Sequence, residues 1–364
     1  MSKTTMKNIG KWALKLLAGV NVVTVIIMLI IGNCDFIHPQ DYPILSTAGL
    51  FFPFSIAPNL IFLFFWLIVK WRYAAISFIG LLLAYSPIRS YFPLNIKKSM
   101  PEKTLKVVSF NTFLFALSDN YNSKDNSILN YLKKTDADII CLQEAETEPS
   151  IFDIIKTEMG KINYQVDTVV NKKSGNMLMV MSKYKILNHE KIEYRTESNV
   201  SAAFNILIDN DTVTVINNHL ESTKLTDTDK RGLKTILMGG INKNYTKERS
   251  LKLLKKLALS NWVRGPQADS VSAYIRNKAH KDIIVCGDFN DNPCSYTLRV
   301  FRKLLTDCYR ESGNGPGYSY NYNKIRVRID HIFCSDTYEP IETYIDNSKR
   351  LSDHYPVVTI LKKR

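Results

Sequence analysis

The chain has 364 residues, of which 45% are hydrophobic, and it carries 48 Lys and Arg against 34 Asp and Glu. This composition excludes a disulfide mini-protein, a collagen-like chain and a wholly disordered chain. The first 100 residues hold 9 of the basic and 2 of the acidic residues, which leaves a net charge of +7 on the remaining 264. That excess tolerates an anionic substrate but falls short of a dedicated nucleic-acid binder. We predict two parts, a membrane anchor at 1–100 and a folded domain at 101–364.

Three apolar stretches occupy the predicted anchor, at Leu16–Gly32, Ile44–Val69 and Ala74–Ile88. A spanning helix needs about 20 residues, so the second stretch is long enough alone. The first spans if the residues before it snorkel, and the third if it continues towards Leu94. The sequence therefore predicts two or three transmembrane helices. A cleaved signal peptide is the alternative for the first stretch, and it is disfavoured because no small-residue cleavage site follows.

Flanking charge predicts the orientation of these helices. The basic residues beside the stretches are Lys3, Lys7, Lys11, Lys15, Lys70 and Arg72, whereas the first loop holds only Asp35 and Asp41. The positive-inside rule then places the N-terminus in the cytoplasm. With three spans, the protein is a multi-pass cell-membrane protein whose C-terminal domain faces outward. Arg89, Lys97 and Lys98 oppose that orientation, and two spans would reverse it.

From Lys103 onward, short β-branched runs alternate with amphipathic stretches, a pattern typical of layered sheets with helices outside. Strands are predicted at Leu105–Phe110, Ile139–Gln143, Met177–Ser182, Phe204–Ile208, Thr212–Asn218, Lys281–Gly287, Asp330–Cys334 and Pro356–Leu361. Helices are predicted at Ser127–Lys134 and Ile151–Met159.

The region Lys247–Asn277 is predicted to form two helices, because Gly265-Pro266 interrupts its helical pattern. Leu251, Leu254, Ala258 and Trp262 recur in it at helical spacing. We expect these four residues to pack in the core.

Polar clusters follow several predicted strands. They are SFNT (Ser109–Thr112), LQEAE (Leu142–Glu146), NNHLES (Asn217–Ser222), GDFND (Gly287–Asp291), RIDHIF (Arg328–Phe333) and SDHYP (Ser352–Pro356). A single carboxylate after a strand is more often a cap or turn former, but six clusters in one order indicate a site. Their content suits phosphate-ester hydrolysis, in which a divalent cation neutralises phosphate oxygens and a positioned water attacks. Asn111 and Glu144 suit the metal, His219 and His354 can donate to phosphate oxygens, and Asp330 would fix the His354 tautomer.

The order and the amino-acid sequences of these clusters resemble those of the endonuclease/exonuclease/phosphatase superfamily, over roughly Lys103 to Lys363. That superfamily includes DNase I-type nucleases, abasic-site endonucleases, bacterial sphingomyelinases and inositol polyphosphate phosphatases. The resemblance is to a membrane-anchored bacterial member. It implies an α/β fold, a DNase I-like four-layered sandwich of two central mixed sheets flanked by helices, with the site at one rim.

The resemblance also implies roles for individual residues. Asn111 and Glu144 match the metal-side pair, and Asp353 adds a possible metal contact. Asp288 and Asn290 match the groups that position the attacking water and the phosphate.

Two histidines complete the implied catalytic set. His354 matches the histidine that hydrogen-bonds to the phosphate, with Asp330 as its partner. His219 matches a histidine of the DNase and sphingomyelinase branches, at a position where abasic-site endonucleases usually carry tyrosine, so it argues against a repair enzyme. Asn176 resembles a substrate-side position. For Arg264 and Gln267, in a recurrent helix motif, we expect a scaffolding role.

Two segments have two interpretations each. Tyr318, Tyr320 and Tyr322, beside Lys324, Arg326 and Arg328, form either a substrate wall or a β-hairpin with exposed aromatics. The segment Ser222–Arg249 is either a mobile flap or, the favoured interpretation, a solvated insertion. His189, His280 and His331 are assigned no chemistry.

The sequence thus predicts a membrane-tethered hydrolase of phosphate ester bonds, of nuclease or phosphatase type, that depends on Mg²⁺, with Mn²⁺ or Ca²⁺ as alternatives. The substrate stays open among nucleic acid, a phospholipid headgroup and a soluble phosphate ester. No protein partner is expected. The alternative is a catalytically inert membrane scaffold that keeps the sandwich fold for partner binding.

Overall fold

The computed structural model describes residues 3–116, 126–145, 148–196, 198–237, 247–278, 281–322 and 325–364. The helices are α1 (Lys3–Gly32), α2 (Phe52–Val69), α3 (Trp71–Leu83), α4 (Tyr85–Tyr91), the one-turn α5 (Phe113–Ala116), α6 (Ser127–Thr135), α7 (Pro149–Gly160), α8 (Asp227–Leu237), α9 (Lys247–Arg276), α10 (Tyr296–Arg302) and α11 (Cys308–Ser312). The strands are β1 (Leu105–Asn111), β2 (Ile139–Gln143), β3 (Gln165–Val170), β4 (Met177–Ser182), β5 (Lys185–Ile192), β6 (Val200–Ile208), β7 (Asp211–His219), β8 (Ile283–Asp288), β9 (Thr306–Asp307), β10 (Tyr320–Tyr322), β11 (Ile325–Val327), β12 (Asp330–Cys334), β13 (Tyr338–Ile345) and β14 (Val357–Lys363).

The first three helices pack side by side through a small polar centre. The side-chain oxygen of buried Asn21 in α1 accepts hydrogen bonds from Trp66 Nε1 in α2 and from Ser77 Oγ in α3, both at 3.0 Å. Gly80 of α3 lies directly against Val25, where a Cβ would come within 2.7 Å. Paired polar groups and small residues are what brings helices together where the surroundings are as apolar as the side chains.

Two of these helices are long and apolar enough to cross a membrane, over Gly10–Phe36 and Leu45–Val69. A third crossing is possible by length and composition if α3 and α4, which are bent by 62° at their junction, count as one span. This agrees with the two or three spans that the sequence predicts.

The second apolar stretch is not one regular helix. Residues Leu45–Phe51, here called the linker segment, form a 3₁₀ helix. The α-helix begins only at Phe52, with Pro53 in its first turn, where a proline costs no hydrogen bond.

The remainder of the chain forms two six-stranded mixed sheets with orders β13-β14-β1-β2-β4-β3 and β5-β6-β7-β8-β12-β9. Their inner faces bury one apolar cluster, which includes Val107, Val180, Phe204, Val215 and Ile332. Helices α6 and α7 cover the outer face of the first sheet, and α9 and α10 cover the second. The predicted four-layered α/β sandwich is confirmed.

One predicted break is wrong, because Lys247–Arg276 is a single helix with Pro266 inside it. Contacts on both sides of the proline hold the helix together. Arg264 Nε donates to the carbonyl of Glu221 at 2.9 Å, and Gln267 Oε1 accepts from the Glu221 N–H at 2.8 Å. Tertiary contacts here outweigh the hydrogen bond that proline removes.

The core assignment for this helix was also wrong in part. Ala258 is buried, but Leu251 and Trp262 are 47% and 40% exposed. The helix instead turns Leu253 and Leu257 inward. The helical period of the pattern is correct, but the face of the helix that packs in the core is rotated from the predicted one.

Candidate active site

Strand register delivers the predicted site residues to one rim of the sandwich. In the second sheet, His219 at the end of β7 and Asp330 at the start of β12 both pair with Asp288 at the end of β8. In the first sheet, Asn111 ends β1 opposite Gln143, directly before Glu144. The two sheets therefore present their polar ends to each other.

The amide of Asn111 joins the carboxylates of the two sheets. Its Nδ2 donates to Glu144 Oε1 at 3.2 Å and to Asp288 Oδ2 at 3.0 Å. Its Oδ1 accepts from the Phe113 N–H at 3.1 Å. The predicted metal-side pair is thus adjacent, with the amide nitrogen turned towards both carboxylates.

The backbone around Glu144 is held in an unusual conformation. Glu144 has φ +45°, and the neighbouring turn Phe113–Phe115 is also left-handed. Thr112 Oγ1 and the Leu114 N–H both donate to the Glu144 carbonyl, at 2.9 and 2.8 Å. Such conformations cost roughly 1–3 kcal/mol per residue and persist where the surroundings impose them. The position of Glu144 is therefore fixed before any ligand arrives.

Gly287 allows β8 to approach β7 at the site. It has φ +135°, and a Cβ there would lie 2.0 Å from the Asn218 carbonyl oxygen. Only glycine fits at this position, so the residue before Asp288 sets how closely the His219 strand can lie.

His219 points an unsatisfied nitrogen at the carboxylates. Its Nε2 lies 3.6 Å from Glu144 Oε1 and 3.8 Å from Asp288 Oδ2. Asn176 Nδ2 donates to His219 Nδ1 at 2.9 Å, which assigns the proton of a neutral ring to Nε2. This buried Nε2 has no hydrogen-bond partner among the described residues. An N–H donor is therefore aimed at the space where a ligand oxygen would sit.

His354 forms a pair with Asp330. Its Nδ1 lies 2.8 Å from Asp330 Oδ2, and its Nε2 lies 3.8 Å from Asp288 Oδ2. Burial opposes the charge on the ring, but the Asp330 and Asp288 carboxylates outweigh it and raise the pKa of His354 to about 10. Burial and the nearby charge of Asp330 raise the pKa of Asp288 to about 6. At neutral pH the site holds a cationic donor beside a carboxylate that can accept a proton.

Asn290 and Asp353 complete the predicted set. The Asn290 N–H donates to Asp288 Oδ1 at 2.8 Å, and Asn290 Nδ2 donates to the Leu220 carbonyl at 3.0 Å. Asp353 lines the same cleft, and its Oδ1 accepts from Ser352 Oγ at 3.2 Å. All the predicted site residues thus lie at this rim, and Asp353 is set apart by bonding to its own neighbour.

Two donor sets could hold a cation. Among the described residues, Asp288, Asp330 and His354 form one group, whose candidate ligand atoms lie within 4.8 Å of one another. However, His354 and Asp330 already bond to each other, and a protonated imidazole cannot ligate a metal. Glu144 and Asp288, bridged by Asn111, offer the hard oxygen atoms that Mg²⁺ prefers. The residues present therefore fit a divalent cation, and we favour this second set.

One supporting pair was missed by the sequence reasoning. Gln143 Nε2 donates to Asn217 Oδ1 at 2.7 Å, and Asn217 Nδ2 donates to the Leu142 carbonyl at 3.0 Å. The pair joins the two sheets beneath the site. Its signal was the presence of further polar residues in the clusters LQEAE and NNHLES, with Gln143 directly before Glu144 and Asn217 two residues before His219.

The scaffold behind the site contains the buried ion pair of Arg264 and Asp291, whose Nη1 and Oδ2 atoms lie 3.1 Å apart. Together with the contacts of Gln267 described above, this agrees with the scaffolding role expected for the helix motif.

The site opens into a cleft of about 280 Å³. The described residues that line it include Thr47, Leu50, Phe113, Glu144, Leu225, Lys230, Leu233, Leu257, Asp288, Asn290, Tyr320, Ile325, Val327, Asp353 and His354. Part of the segment predicted as a flap or insertion therefore forms a wall of the cleft, while its residues 238–246 lie outside the described residues.

The tyrosine-rich stretch forms a β-hairpin of β10 and β11. Tyr320 meets the His354 ring edge-on, with centroids 5.0 Å apart, and Lys230 lies 4.4 Å from the Tyr322 ring centroid. Arg328 does not belong to the predicted substrate wall, because it is buried and donates to the Pro316 carbonyl at 2.6 Å. Lys324 lies outside the described residues.

Of the histidines without assigned chemistry, the two that the structure describes, His189 and His331, do not line the cleft. His189 is exposed and pairs with Asp167 at 2.8 Å. His331 is buried beside the rings of Phe289 and Phe333. His280 lies outside the described residues.

Residues 108–354 match the model of the Endonuclease/Exonuclease/phosphatase family, and the chain belongs to this family. It is a family of phosphate-ester hydrolases, and this agrees with the chemistry of the site. Residues 14–91 match a domain of unknown function. A search of curated proteins found no significant match.

Solved structures share the fold at low sequence identity. D. rerio TDP2 complexed with a single-strand DNA product is 18% identical, covers 72% of this chain and all of its own, and has a TM-score of 0.50. The human Nocturnin catalytic domain with bound sulfate is 16% identical over 74% of this chain and 97% of its own, with a TM-score of 0.50. A family protein from Beutenbergia cavernae is 14% identical over 72% of both chains, with a TM-score of 0.51.

Proposed function

We propose that this protein is a membrane-tethered, divalent-cation-dependent phosphoesterase that hydrolyses a phosphate ester by in-line attack of water. The observation that carries the proposal is the connected network around Asp288. Asn111, His219, Asn290 and His354 each approach its carboxylate, and they come from four separate parts of the chain. Membrane tethering is supported by the apolar helices that precede the sandwich.

In the proposed mechanism, Asp288 takes the proton of the attacking water at Oδ1, the oxygen that the Asn290 N–H holds in place, while its Oδ2 faces Asn111 and the proposed ion site. His354, kept cationic by Asp330, donates to a non-bridging phosphoryl oxygen. His219 donates from Nε2 to a second oxygen, with Asn176 fixing its tautomer.

Glu144 and Asp288, positioned by Asn111, would hold Mg²⁺ or a similar ion. When bound, the ion would neutralise phosphate charge and stabilise the leaving oxygen. Asp353 is proposed as an additional contact on the cleft wall.

The test is turnover by the detergent-solubilised full chain of bis-p-nitrophenyl phosphate, plasmid DNA and sphingomyelin, each with Mg²⁺ and with EDTA. We expect metal-dependent turnover of at least one substrate and its loss in His354→Ala. The matched control is His189→Ala, which removes an exposed histidine that is also 2.8 Å from a carboxylate. Wild-type protein as inactive as His354→Ala on every substrate would favour an inert scaffold instead.

A further inference from the structure

The linker segment between the first two apolar helices forms part of the wall of the active-site cleft. Thr47 and Leu50 line the cleft together with Asp288 and His354. Helix α2 starts at Phe52, two residues after Leu50. The cleft therefore lies next to the end of a helix that is apolar enough to span a bilayer.

Specific contacts hold the linker segment in this place. Asn261 Nδ2 of helix α9 donates to Ser46 Oγ at 3.2 Å, and Tyr91 donates from its hydroxyl to the Gly49 carbonyl at 2.7 Å. Gly49 packs so closely on the chain after β8 that a Cβ would lie 2.2 Å from the Cys294 carbonyl oxygen. These contacts fix the linker segment as a part of the cleft wall.

The wall that this segment joins is apolar. Leu50 packs against a buried cluster that contains Leu233, Leu257 and Ile325, and Leu225 packs against the same cluster. The reacting groups stand in the same cleft, with Asp288 and His354. A cleft with a charged centre and a hydrocarbon wall matches an amphiphilic ligand.

Apolar side chains also surround the place where the linker segment meets helix α9. Leu45, beside Ser46, is 50% exposed, and Trp262, beside Asn261, is 40% exposed. Leu259, one turn before Trp262, is 63% exposed. Exposed tryptophan and leucine side chains at the base of spanning helices are typical of a surface that rests on the lipid headgroups.

We propose that the substrate is a phosphate ester of a bilayer lipid, with its phosphate at the Asp288 centre and its hydrocarbon chain along the wall that contains Leu50. This inference rests on the proposed phosphoesterase function and narrows its substrate class.

The experiment measures how binding depends on hydrocarbon length. Ethyl, butyl, hexyl and octyl phosphate, with inorganic phosphate as the chain-free reference, are titrated calorimetrically into the full chain in nanodiscs with Mg²⁺ present. Empty nanodiscs correct for partition into lipid. We expect affinity to rise about two- to fourfold per methylene, because each one leaves water for an apolar wall.

Two variants locate the binding surface. Leu50→Gln, and independently Leu225→Gln, should flatten the dependence on chain length. The matched control Leu187→Gln lies on edge strand β5, where the side chain is 42% exposed, and should keep it. Using two cleft variants guards against one that fails to fold.

The outcomes separate the two proposals. Affinity that does not change with chain length in the wild type, or a dependence that survives in both cleft variants, overturns the lipid assignment. Metal-dependent turnover of bis-p-nitrophenyl phosphate in that same preparation would leave the phosphoesterase function intact. Loss of both turnover and phosphate binding would overturn the function as well.

Discussion

Asp330 holds His354 through a 2.8 Å contact between its Oδ2 and the ring Nδ1, and both groups are buried. The contact orients the ring so that Nε2 faces Asp288. Asp330→Asn keeps the shape but removes the negative charge that orients the ring and keeps it protonated. We expect kcat to fall on the order of 10³-fold or more, with the folded structure retained by circular dichroism.

A second His–Asp pair in the chain supplies the control. Asp167 lies at the same 2.8 Å from His189 Nδ1, but on edge strands, where the Asp167 and His189 side chains are 29% and 43% exposed. Asp167→Asn should leave kcat within about twofold. Equal losses of activity in the two variants would mean that the Asp330 effect is structural.

Glu144→Gln tests the cation site without relying on turnover. A ligand that binds only the folded state stabilises it by about 2.7 kcal/mol when its concentration is 100 times its Kd. Mg²⁺ should therefore raise the Tm of the wild type by several degrees, and EDTA should reverse the rise. Glu144→Gln should abolish most of the rise because it removes one of the two carboxylates that face each other across Asn111. Glu190→Gln, on an exposed strand, should behave as wild type, and a full Mg²⁺ response in Glu144→Gln would place the ion elsewhere.

Because His331 is buried, we expect the free energy of unfolding to decrease at acidic pH. Burial lowers the pKa of His331 from 6.5 in the unfolded chain to about 3 in the folded chain. The unfolded state therefore binds the proton first, so stability is full above about pH 6.5 and is lost as the pH falls towards 3, at up to about 1.4 kcal/mol per pH unit.

In His331→Leu this loss should be absent. Neither ring nitrogen has a hydrogen-bond partner among the described residues, so the substitution leaves no polar group stranded. The check is the urea midpoint at pH 8 and at pH 5, for which we expect a smaller difference in the variant than in the wild type. The exposed His189→Ala serves as control, and equal differences in wild type and His331→Leu would contradict the assignment.

Gly49→Ala tests the joint between the linker segment and the sandwich. A methyl group there would lie 2.2 Å from the Cys294 carbonyl and 2.8 Å from Asn292 Oδ1, so one side must move. We expect the Tm of the full chain to fall by several degrees. Gly19→Ala, on helix α1 with open space around it, should not lower it, and an unchanged Tm in Gly49→Ala would show that the joint is loose.

The fold was predictable where burial and strand pattern coincide. The predicted bounds of β2, β4 and β12 match the structure, and each of these strands is buried throughout. Strand β5 was missed because its sequence KILNHEKI is polar and exposed at the edge of a sheet. Strand β13 was missed because Pro340 interrupts its pattern, and the structure accommodates it at a shift in register.

The members of the site were predictable from motifs, but their geometry was not. The family resemblance pairs Asn111 with Glu144, yet only the folded chain brings them to Asp288 across the two sheets. The contribution of Leu50 to the cleft could not be predicted, because an uncharged stretch of membrane length gives no sign that its first residues line a cleft of the folded domain.

The contacts of Gly49 with Tyr91 and Cys294 attach the apolar helices directly to the sandwich, so no flexible linker separates the two. A flexible linker would let the domain explore a volume that grows with its length, whereas in the membrane-tethered protein proposed above the reaction centre would keep a fixed height above the lipid surface. Encounters would then occur by lateral diffusion in two dimensions. Turnover in mixed micelles would follow the mole fraction of substrate in the surface and fall when inert detergent is added, even though the bulk concentration is unchanged.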